Sequence, residues 1–290
     1  MEKAPNRSGS LYLVATPIGN LEDITLRGLR VLREVALIAA EDTRHTQQLL
    51  TAYGISARLM SYREQNHAAA SGRICEVLGA GMDVALTTDA GTPGLSDPGA
   101  ALVAEVVARG FRVVPVPGPS AVVAALTASG LPTDRFLFLG FLPRKVGTVR
   151  KLLETLSKEV STLVIYESPH RLGKTLSLLA EVFGARQAVV VRELTKQHET
   201  FDRGTLAELA QRYHEGTLGE VTLIIEGASE SSPAVSRELQ ELVTLLKEGR
   251  ALPTGEIARL LGPLTGLDRR SLYQLAIERT DISTDSENKN

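Results

Sequence analysis

The sequence predicts an α/β protein with two α/β domains and a small helical module at its C-terminal end. Short apolar runs alternate with segments of helical periodicity as far as residue 228. Glycine- and proline-rich loops follow several of these runs, and after residue 236 only helical patterns occur. We expect an N-terminal α/β domain, a second α/β domain, a linker, a helical module and a disordered tail, over residues 1–117, 118–228, 229–236, 237–280 and 281–290.

Composition narrows the function classes. The chain has 290 residues, 43% of them hydrophobic and 23% charged, which is enough apolar content for a core. A net charge of −2 does not indicate a generally basic nucleic-acid binder, and 4% aromatic residues without Trp argue against a base-stacking platform. Cys75 is the only cysteine, so no internal disulfide forms, which suits a reducing cytoplasm. No apolar run reaches membrane-span length, and the polar residues 1–10 predict no signal peptide.

In the N-terminal part, strands and helices alternate, which predicts a largely parallel sheet. Apolar runs predict strands over residues 11–15, 36–40, 84–88 and 112–116. Helical spacing predicts helices over residues 25–33, 67–78, 100–109 and 121–129, with one more that ends at residue 53.

The next part of the chain continues in the same way. Strands are predicted over residues 136–140, 162–166, 187–192, 200–204 and 221–226. Helices are predicted over residues 145–156 and 205–215, and another is expected to start at Ser168-Pro169 and to end near residue 183. In the helical module, the predicted helices cover residues 237–247, 254–261 and 268–278.

The loop from Asp89 to Gly99 organises this arrangement. It connects a predicted strand to a predicted helix, and ligands bind at such loops because they lie at the carboxyl ends of strands. Asp97 followed by Pro98 is typical of a helix start, and the glycines let backbone approach a ligand. The loop has neither a dinucleotide-binding fingerprint nor a P-loop, and taken alone it also fits a plain turn.

Five loops at the ends of predicted strands stand out together. They are Ala-Thr-Pro-Ile-Gly-Asn-Leu at 15–21, Ala-Glu-Asp-Thr-Arg at 40–44, the segment 88–99, Pro-Gly-Pro-Ser-Ala at 117–121 and Tyr-Glu-Ser-Pro-His-Arg at 166–171. In this order and spacing they resemble the ribosomal RNA small subunit methyltransferase I family of the tetrapyrrole methylase superfamily, over about residues 11–227.

The resemblance implies a cleft between the two α/β domains, S-adenosylmethionine as the methyl donor, and 2′-O-methylation of a decoding-region cytidine in small-subunit (16S) ribosomal RNA. It also implies a cytoplasmic homodimer whose partner is the ribosomal RNA or the small ribosomal subunit.

One departure from the wider superfamily affects the substrate. Many members carry Gly-Asp-Pro at the central loop, whereas this chain has Gly91, Thr92 and Pro93, which counts against a porphyrin-type substrate. Two alternatives remain open. One is a methyltransferase of the same superfamily that acts on a tetrapyrrole or a modified protein side chain, and the other is a non-enzymatic module that binds RNA or a ligand.

The implied cofactor needs apolar walls, backbone groups and a few polar partners. Ser120 and Ala121, at a predicted helix start, are candidates to meet its carboxylate through free N–H groups. Without the resemblance, Ser120 would be interpreted as a helix cap and Gly227 as a turn. The predicted cofactor-binding residues are Gly91, Thr92, Pro93, Leu95, Ser120, Ala121, Tyr166, Leu194 and Gly227.

Methyl transfer to a ribose hydroxyl benefits from a positioned base. The candidates are Asp42, with Arg44 to orient it or to hold a phosphate, and Glu167, whereas His170 is a weaker candidate. The alternatives are a salt-bridged helix start for Asp42 and Arg44 and a domain-contact ion pair for Glu167.

RNA binding needs cations for phosphate contacts. The sequence has no Cys/His cluster, so no metal site is predicted. The tail pattern over residues 254–278 is typical of a helix–turn–helix, which makes RNA docking by the tail a hypothesis. The predicted RNA-binding residues are Arg144, Lys145, Arg171, Arg269 and Arg270.

Overall fold

A computed structural model of the chain describes residues 8–229, 242, 243, 246, 253–265, 272 and 273. The chain forms two compact units, residues 1–228 and 229–290, and each is described by itself. The first unit contains two five-stranded sheets, as expected for two α/β domains.

All pairings in the first sheet are parallel, as the alternation of strands and helices predicts. Its strand order is β3-β2-β4-β1-β5, so β4 lies in the centre between β2 and β1. One strand, β3, was not predicted, because its three residues contain no long apolar run. The strands are β1 (Ser10–Val14), β2 (Leu37–Ala40), β3 (Leu59–Ser61), β4 (Val84–Thr87) and β5 (Arg112–Val116).

Helices cover both faces of this sheet. Alternate strand residues point to opposite faces, so each face has its own apolar cluster. Helices α1 (Leu26–Glu34) and α2 (Thr43–Ala52) pack on one face, and α3 (His67–Gly79) and α4 (Gly99–Ala108) pack on the other. Cys75 of α3 is buried in the second of these clusters.

The second sheet is mixed, with the order β6-β7-β10-β8-β9. Only β6 and β7 pair in parallel, whereas β10 runs antiparallel to both of its neighbours and β8 runs antiparallel to β9. A hydrophobic run predicts that a strand forms. It does not predict whether the strand runs parallel or antiparallel to its neighbours, because this depends on which strands pair. The strands are β6 (Phe136–Phe141), β7 (Thr162–Glu167), β8 (Gln187–Arg192), β9 (Thr200–Thr205) and β10 (Val221–Ile225).

Four helices cover the second sheet. One face carries α6 (Val146–Thr155), α7 (Leu172–Phe183) and α8 (Leu206–Arg212). The other face carries α5 (Ala121–Ser129), which follows the last strand of the first sheet. The second sheet therefore takes its fourth helix from the segment that leaves the first sheet.

Two predicted helix boundaries are wrong. The Ser168-Pro169 start predicted for α7 is a turn over residues 168–171, because Glu167 accepts the N–H of Ser168 and the N-cap position falls on Arg171. The helix predicted over residues 205–215 is shorter, since Thr205 is its N-cap, forming a capping box with Glu208, and the helix ends at Arg212.

In the second unit, the structure describes α9 (Thr254–Thr265), which extends beyond the predicted end at residue 261. Its Ile257, Ala258 and Leu261 form an apolar cluster with Val243 and Leu272. The described residues include no helix with the length and hydropathy of a membrane span. The predicted linker, the tail and most of the other two predicted helices lie outside the described residues.

Candidate active site

The two sheets together border one cavity of about 400 Å³. Loops that follow β1, β2, β4 and β5 supply one side of it, through Ile18, Glu41, residues 88–92, residues 95–97 and Ser120. The ends of β6, β7 and β8 and the start of β10 supply the other side. The cavity thus lies at the carboxyl edge of the parallel sheet, where α/β proteins bind ligands.

Backbone hydrogen bonds fix the central loop to its neighbours. Thr16 and Gly91 exchange two backbone hydrogen bonds, at 2.9 and 3.0 Å, and the Thr16 hydroxyl donates to the Thr88 carbonyl at 3.1 Å. On the other side, the Thr92 hydroxyl donates to the Pro119 carbonyl at 3.1 Å. Gly91 has φ +83°, a conformation that favours glycine. The loop after the central strand is therefore held by the loops after β1 and β5.

Backbone strain concentrates around this cavity. Among the described residues, three that are not glycine have positive φ, namely Ser96, Glu193 and Thr195, at 62°, 50° and 66°. Ser96 lines the cavity, and the other two flank Leu194, which also lines it. Such conformations cost free energy and cluster at functional sites.

Most of the predicted cofactor residues meet at this cavity. Pro93 instead borders a small adjacent hollow with Asp97 and Pro98. The cavity is lined by Gly91, Thr92, Leu95, Ser120, Ala121, Tyr166 and Leu194.

The prediction for Gly227 is wrong. β10 runs antiparallel to β7, so Val221 pairs with Glu167 at the cavity, while Ile225 pairs with Leu163 at the opposite end. Gly227 follows that far end, and a Cβ there would overlap the carbonyl oxygen of Val160. The glycine is required by close backbone packing and makes no room for an adenine.

Tyr166 forms the aromatic part of the wall. Its ring centroid lies 4.9 Å from that of Phe138 and 5.5 Å from that of Phe141. Burial raises the pKa of Tyr166, while a hydrogen bond with the backbone of Val122, in the first turn of α5, acts in the opposite direction. Ser120 occupies the N-cap of α5 but makes no side-chain capping bond, so the first N–H groups of this helix keep their capacity to bind an anion.

Glu167 is buried and holds its surroundings in place. Its Oε2 accepts from the Thr175 hydroxyl at 2.6 Å, and its Oε1 accepts from the N–H of Ser168 at 2.7 Å. Nε of Arg171 lies 3.5 Å from Oε1, and the guanidinium donates to the carbonyls of Leu142 and Pro143 at 3.2 and 2.9 Å. Glu167 is thus engaged as an acceptor. Arg171 has a structural role within the second sheet's loops, and its RNA contact stays a prediction.

Asp42 and Arg44 form an ion pair at the start of α2. Asp42 accepts from the backbone N–H of Arg44 at 2.9 Å and from its Nη2 at 2.7 Å, and Arg63 lies 3.5 Å away. These bonds to Arg44 hold the pKa of Asp42 well below its usual range, which makes this carboxylate a weak base. The pair borders an adjacent polar hollow of about 410 Å³ rather than the main cavity.

Glu41 and Asp89 also line the cavity, as do Asp97 and Glu220, and the sequence did not single out any of these carboxylates as catalytic. Glu41 accepts from the Thr88 hydroxyl at 2.8 Å, and Oδ1 of Asp89 accepts from the N–H of Asp42 at 2.9 Å. Burial raises the pKa of Asp89, and the nearby Glu41 charge acts in the same direction. Glu41 and Asp89 lie just after two strands that are neighbours in the sheet. Their positions after apolar runs are visible in the sequence and could have identified them as site candidates.

A second hollow, of about 210 Å³, shares Thr88 and Asp89 with the main cavity. We call it the side hollow. Its remaining lining comes from the loop after β1 and from α2, namely Thr16, Pro17, Gly19, Leu21, His45, Thr46, Gln48 and Leu49.

The predicted RNA-binding residues are only partly described. Arg144 and Lys145 are exposed at the start of α6, whereas Arg269 and Arg270 lie outside the described residues. Within the part of the chain that the structure describes, no group of three His, Cys, Asp or Glu side chains is arranged to hold a metal ion.

Residues 10–210 match the family model described as "Tetrapyrrole (Corrin/Porphyrin) Methylases". Among curated proteins, the chain is similar to three called "Ribosomal RNA small subunit methyltransferase I". The Pseudomonas aeruginosa protein is 47% identical over 94% of this chain and 98% of its own length. The Synechocystis protein is 46% identical, over 93% and 98%, and the Escherichia coli O157:H7 protein is 42% identical, over 96% and 98%.

Solved structures share the fold. A uroporphyrin-III-C-methyltransferase from Thermus thermophilus gives a TM-score of 0.55 at 24% identity, over 75% of this chain and 94% of that one. A diphthine synthase gives a TM-score of 0.57 at 17% identity, over 75% and 90%. At these identities the likeness concerns architecture alone.

Proposed function

Because the chain belongs to the tetrapyrrole methylase family, and within it to the ribosomal RNA small subunit methyltransferase I proteins, we propose that it methylates the 2′-oxygen of a cytidine ribose in the decoding region of small-subunit ribosomal RNA. It is a methyltransferase. The proposal adds the donor, S-adenosylmethionine, and the acceptor atom. Its substrate and its single buried cysteine both suit the cytoplasm, and a homodimer remains a prediction.

The cavity at the carboxyl edge of the first sheet is the observation that carries the proposal. Its volume of about 400 Å³ falls within the usual range of about 300–1,000 Å³ for small-molecule sites. Apolar side chains of Leu95, Tyr166 and Leu194 share the cavity with the start of α5, where Ser120 makes no side-chain capping bond. This combination fits a ligand that has a flat apolar part and a carboxylate.

When bound, S-adenosylmethionine supplies an electrophilic methyl group on a sulfonium centre. The chain's own residues bind and orient it. The N–H groups at Ser120 and Ala121 meet the carboxylate, and Tyr166 and Leu194 cover the apolar part. The backbone of Gly91 and Thr92 forms the floor, which the hydrogen bonds to Thr16 and Pro119 keep rigid.

Asp89 replaces Asp42 as the base in this proposal. The 2′-hydroxyl must lose its proton when its oxygen takes the methyl group that the bound donor would supply, and a carboxylate at the cavity would accept that proton. Oδ1 of Asp89 accepts from Asp42, and the described residues give Oδ2 no partner. Its raised pKa makes it a stronger base than Asp42, whose pKa is lowered by Arg44. The charged or titratable groups that act on Asp89 are Glu41, Asp42, His45 and Arg44.

Arginine and lysine side chains near the cavity are suited to phosphates. The side chain of Arg44 is 85% exposed even though it pairs with Asp42, and Arg63 borders the same polar hollow. Arg144 and Lys145 are exposed in the second sheet's loops. We propose that these four cations hold the RNA backbone and that the base and shape of the RNA provide specificity.

The test uses purified protein with methyl-labelled S-adenosylmethionine and ribosomal RNA from cells that lack this activity. Free RNA and small ribosomal subunits are compared, and the product is mapped. Label at one ribose 2′-oxygen is the expected result, and the better substrate then identifies the physiological form. Tight cofactor binding without label in either RNA would overturn the proposal and favour a small-molecule or protein acceptor.

A further inference from the structure

The side hollow has partly apolar walls and polar side chains at its rim. Leu49 and Thr46 are buried, and Leu21 and Pro17 add apolar surface. At the rim, His45 and Gln48 lie three positions apart on α2, so they share one face of that helix. Apolar walls with a few polar groups at one edge are typical of a pocket for a flat, heteroaromatic ring.

The polar groups of the hollow divide into two kinds. The Thr16 hydroxyl already donates to Thr88, and the Thr46 hydroxyl contacts that of Thr87 at 3.4 Å. By contrast, the described residues offer no hydrogen-bond partner to the side chains of His45 and Gln48. An amide and an imidazole that both face a hollow can donate to and accept from the edge of a base. Unpaired groups at the rim are thus available to a ligand.

Through Thr88 and Asp89, the side hollow adjoins the proposed site of methyl transfer in the main cavity. They form the wall that the side hollow shares with the main cavity, and Asp89 also borders the polar hollow with Arg44 and Arg63. Three compartments therefore meet at one carboxylate. A nucleotide has three parts that match them, namely a phosphate for the arginines, a ribose hydroxyl for Asp89, and a base.

We propose that the side hollow receives the base of the acceptor nucleotide, turned out of its stack, with Gln48 and His45 at its edge. Enzymes that act on a base bind it extruded in a pocket, and unstacked bases are the main target of sequence-specific RNA recognition, so the same arrangement would bring the attached ribose to Asp89. The inference rests on the proposed function, because it names the subsite for the same acceptor. At about 210 Å³ the hollow is about half the volume of the main cavity, in keeping with one ring rather than a whole cofactor.

The neighbouring residues Gln47 and Gln48 provide a matched pair of variants. Both are exposed on α2, but only Gln48 lines the hollow. Gln48→Trp narrows the hollow, and Gln48→Ala removes its rim amide. Gln47→Trp and Gln47→Ala repeat the same changes one position away. Exposed helix substitutions of this kind change stability little, which thermal unfolding and cofactor affinity will verify.

The acceptor is varied at the same time. Small ribosomal subunits are reassembled with RNA that carries either cytidine or a base-free ribose at the methylated position. For the wild type and Gln47→Trp, removal of the base should lower kcat/KM by about 100-fold. For Gln48→Trp, kcat/KM on the cytidine substrate should already be lower by about 100-fold, and removal of the base should then change it by less than about three-fold. Gln48→Ala should lose about ten-fold on cytidine, and cofactor affinity should stay unchanged throughout.

The outcomes separate the inference from the function on which it rests. Equal effects of base removal in the Gln47→Trp and Gln48→Trp variants would overturn the base pocket while leaving the methyltransferase proposal intact. The same conclusion follows if both Gln48 variants keep wild-type kinetics. Failure of the wild type to methylate any ribose would instead overturn both.

Discussion

The two sheets contribute different chemistry to one cavity. The parallel sheet presents the carboxylates Glu41 and Asp89, each on a loop that directly follows a strand. The mixed sheet presents apolar and aromatic groups, among them Phe141, Tyr166 and Leu194, while its carboxylates Glu167 and Glu220 are already paired with Arg171 and Lys196. In a parallel sheet every strand delivers a loop to the same edge, so polar groups from several loops accumulate there. In the mixed sheet, the antiparallel β10 reaches the cavity with its start, whereas β6, β7 and β8 reach it with their ends.

This division predicts that acid–base chemistry depends on the first sheet, whereas the aromatic wall against the cofactor comes from the second. The largest effect is expected for Asp89→Asn, which keeps the shape but removes the base. The rate of methyl transfer should fall by about 100-fold or more, because a positioned base contributes about 10²- to 10⁴-fold. Cofactor affinity, measured by calorimetry, should change little.

Asp42→Asn is the control for that experiment. Asn remains a good N-cap, so α2 should keep its start. We expect a loss of less than about ten-fold in rate, since the lowered pKa of Asp42 excludes it as the main base. Equal losses of rate in Asp89→Asn and Asp42→Asn would contradict the assignment of Asp89, rather than Asp42, as the base.

The second prediction concerns the opposite ends of β10. Gly227→Ala should destabilise the fold by about 2 kcal/mol or more, because the new Cβ overlaps the Val160 carbonyl. Denaturant unfolding measures this change. Under conditions in which the variant is fully folded, it should bind the cofactor with wild-type affinity. Weaker binding under those conditions would show that Gly227 belongs to the cofactor site.

Tyr166→Ala should have a smaller effect on the reaction, which is measured on the folded protein because the ring also packs against a core cluster. It removes the ring that packs against Phe138 and Phe141, and cofactor affinity should fall by about ten-fold. Tyr166→Phe keeps the ring and should retain most of the affinity. If affinity were unchanged in the alanine variant while the rate fell, the second sheet would share the chemical role of the first.

The smallest effect is expected for the ion pair at α2. The pKa of Asp42 is lowered in the folded state, so its contribution to stability is present above the unfolded value of about 3.8. That contribution is lost as the pH falls towards the folded value. The stability difference between the wild type and Asp42→Asn should therefore shrink on acidification from pH 7 to pH 3. A difference that grew in acid would contradict the assigned direction.

Much of the fold could be predicted from local patterns, because apolar runs and helical spacing are encoded within a few residues. The sequence also brought most of the predicted cofactor residues, including Leu95 and Tyr166, to loops and strand ends that meet at the cavity. Strand direction could not be predicted for β10, and the error at Gly227 follows from this. The roles of Asp42 and Asp89 depend on distances between loops some 47 positions apart, which no local pattern specifies. The short β3 carries too few apolar residues to be distinguished from a loop.

The paired backbone hydrogen bonds between Thr16 and Gly91 also have a consequence for engineering. These bonds join the loops after β1 and β4 into a frame, and because they are main-chain bonds the frame does not depend on which side chains surround it. Wall residues such as Leu95 and Tyr166 are therefore open to redesign for bulkier synthetic methyl donors or analogues. Changes at Gly91, by contrast, would disturb the frame itself, since its φ of +83° disfavours any residue with a side chain. Libraries that vary the walls and spare the frame should retain the highest fraction of folded variants.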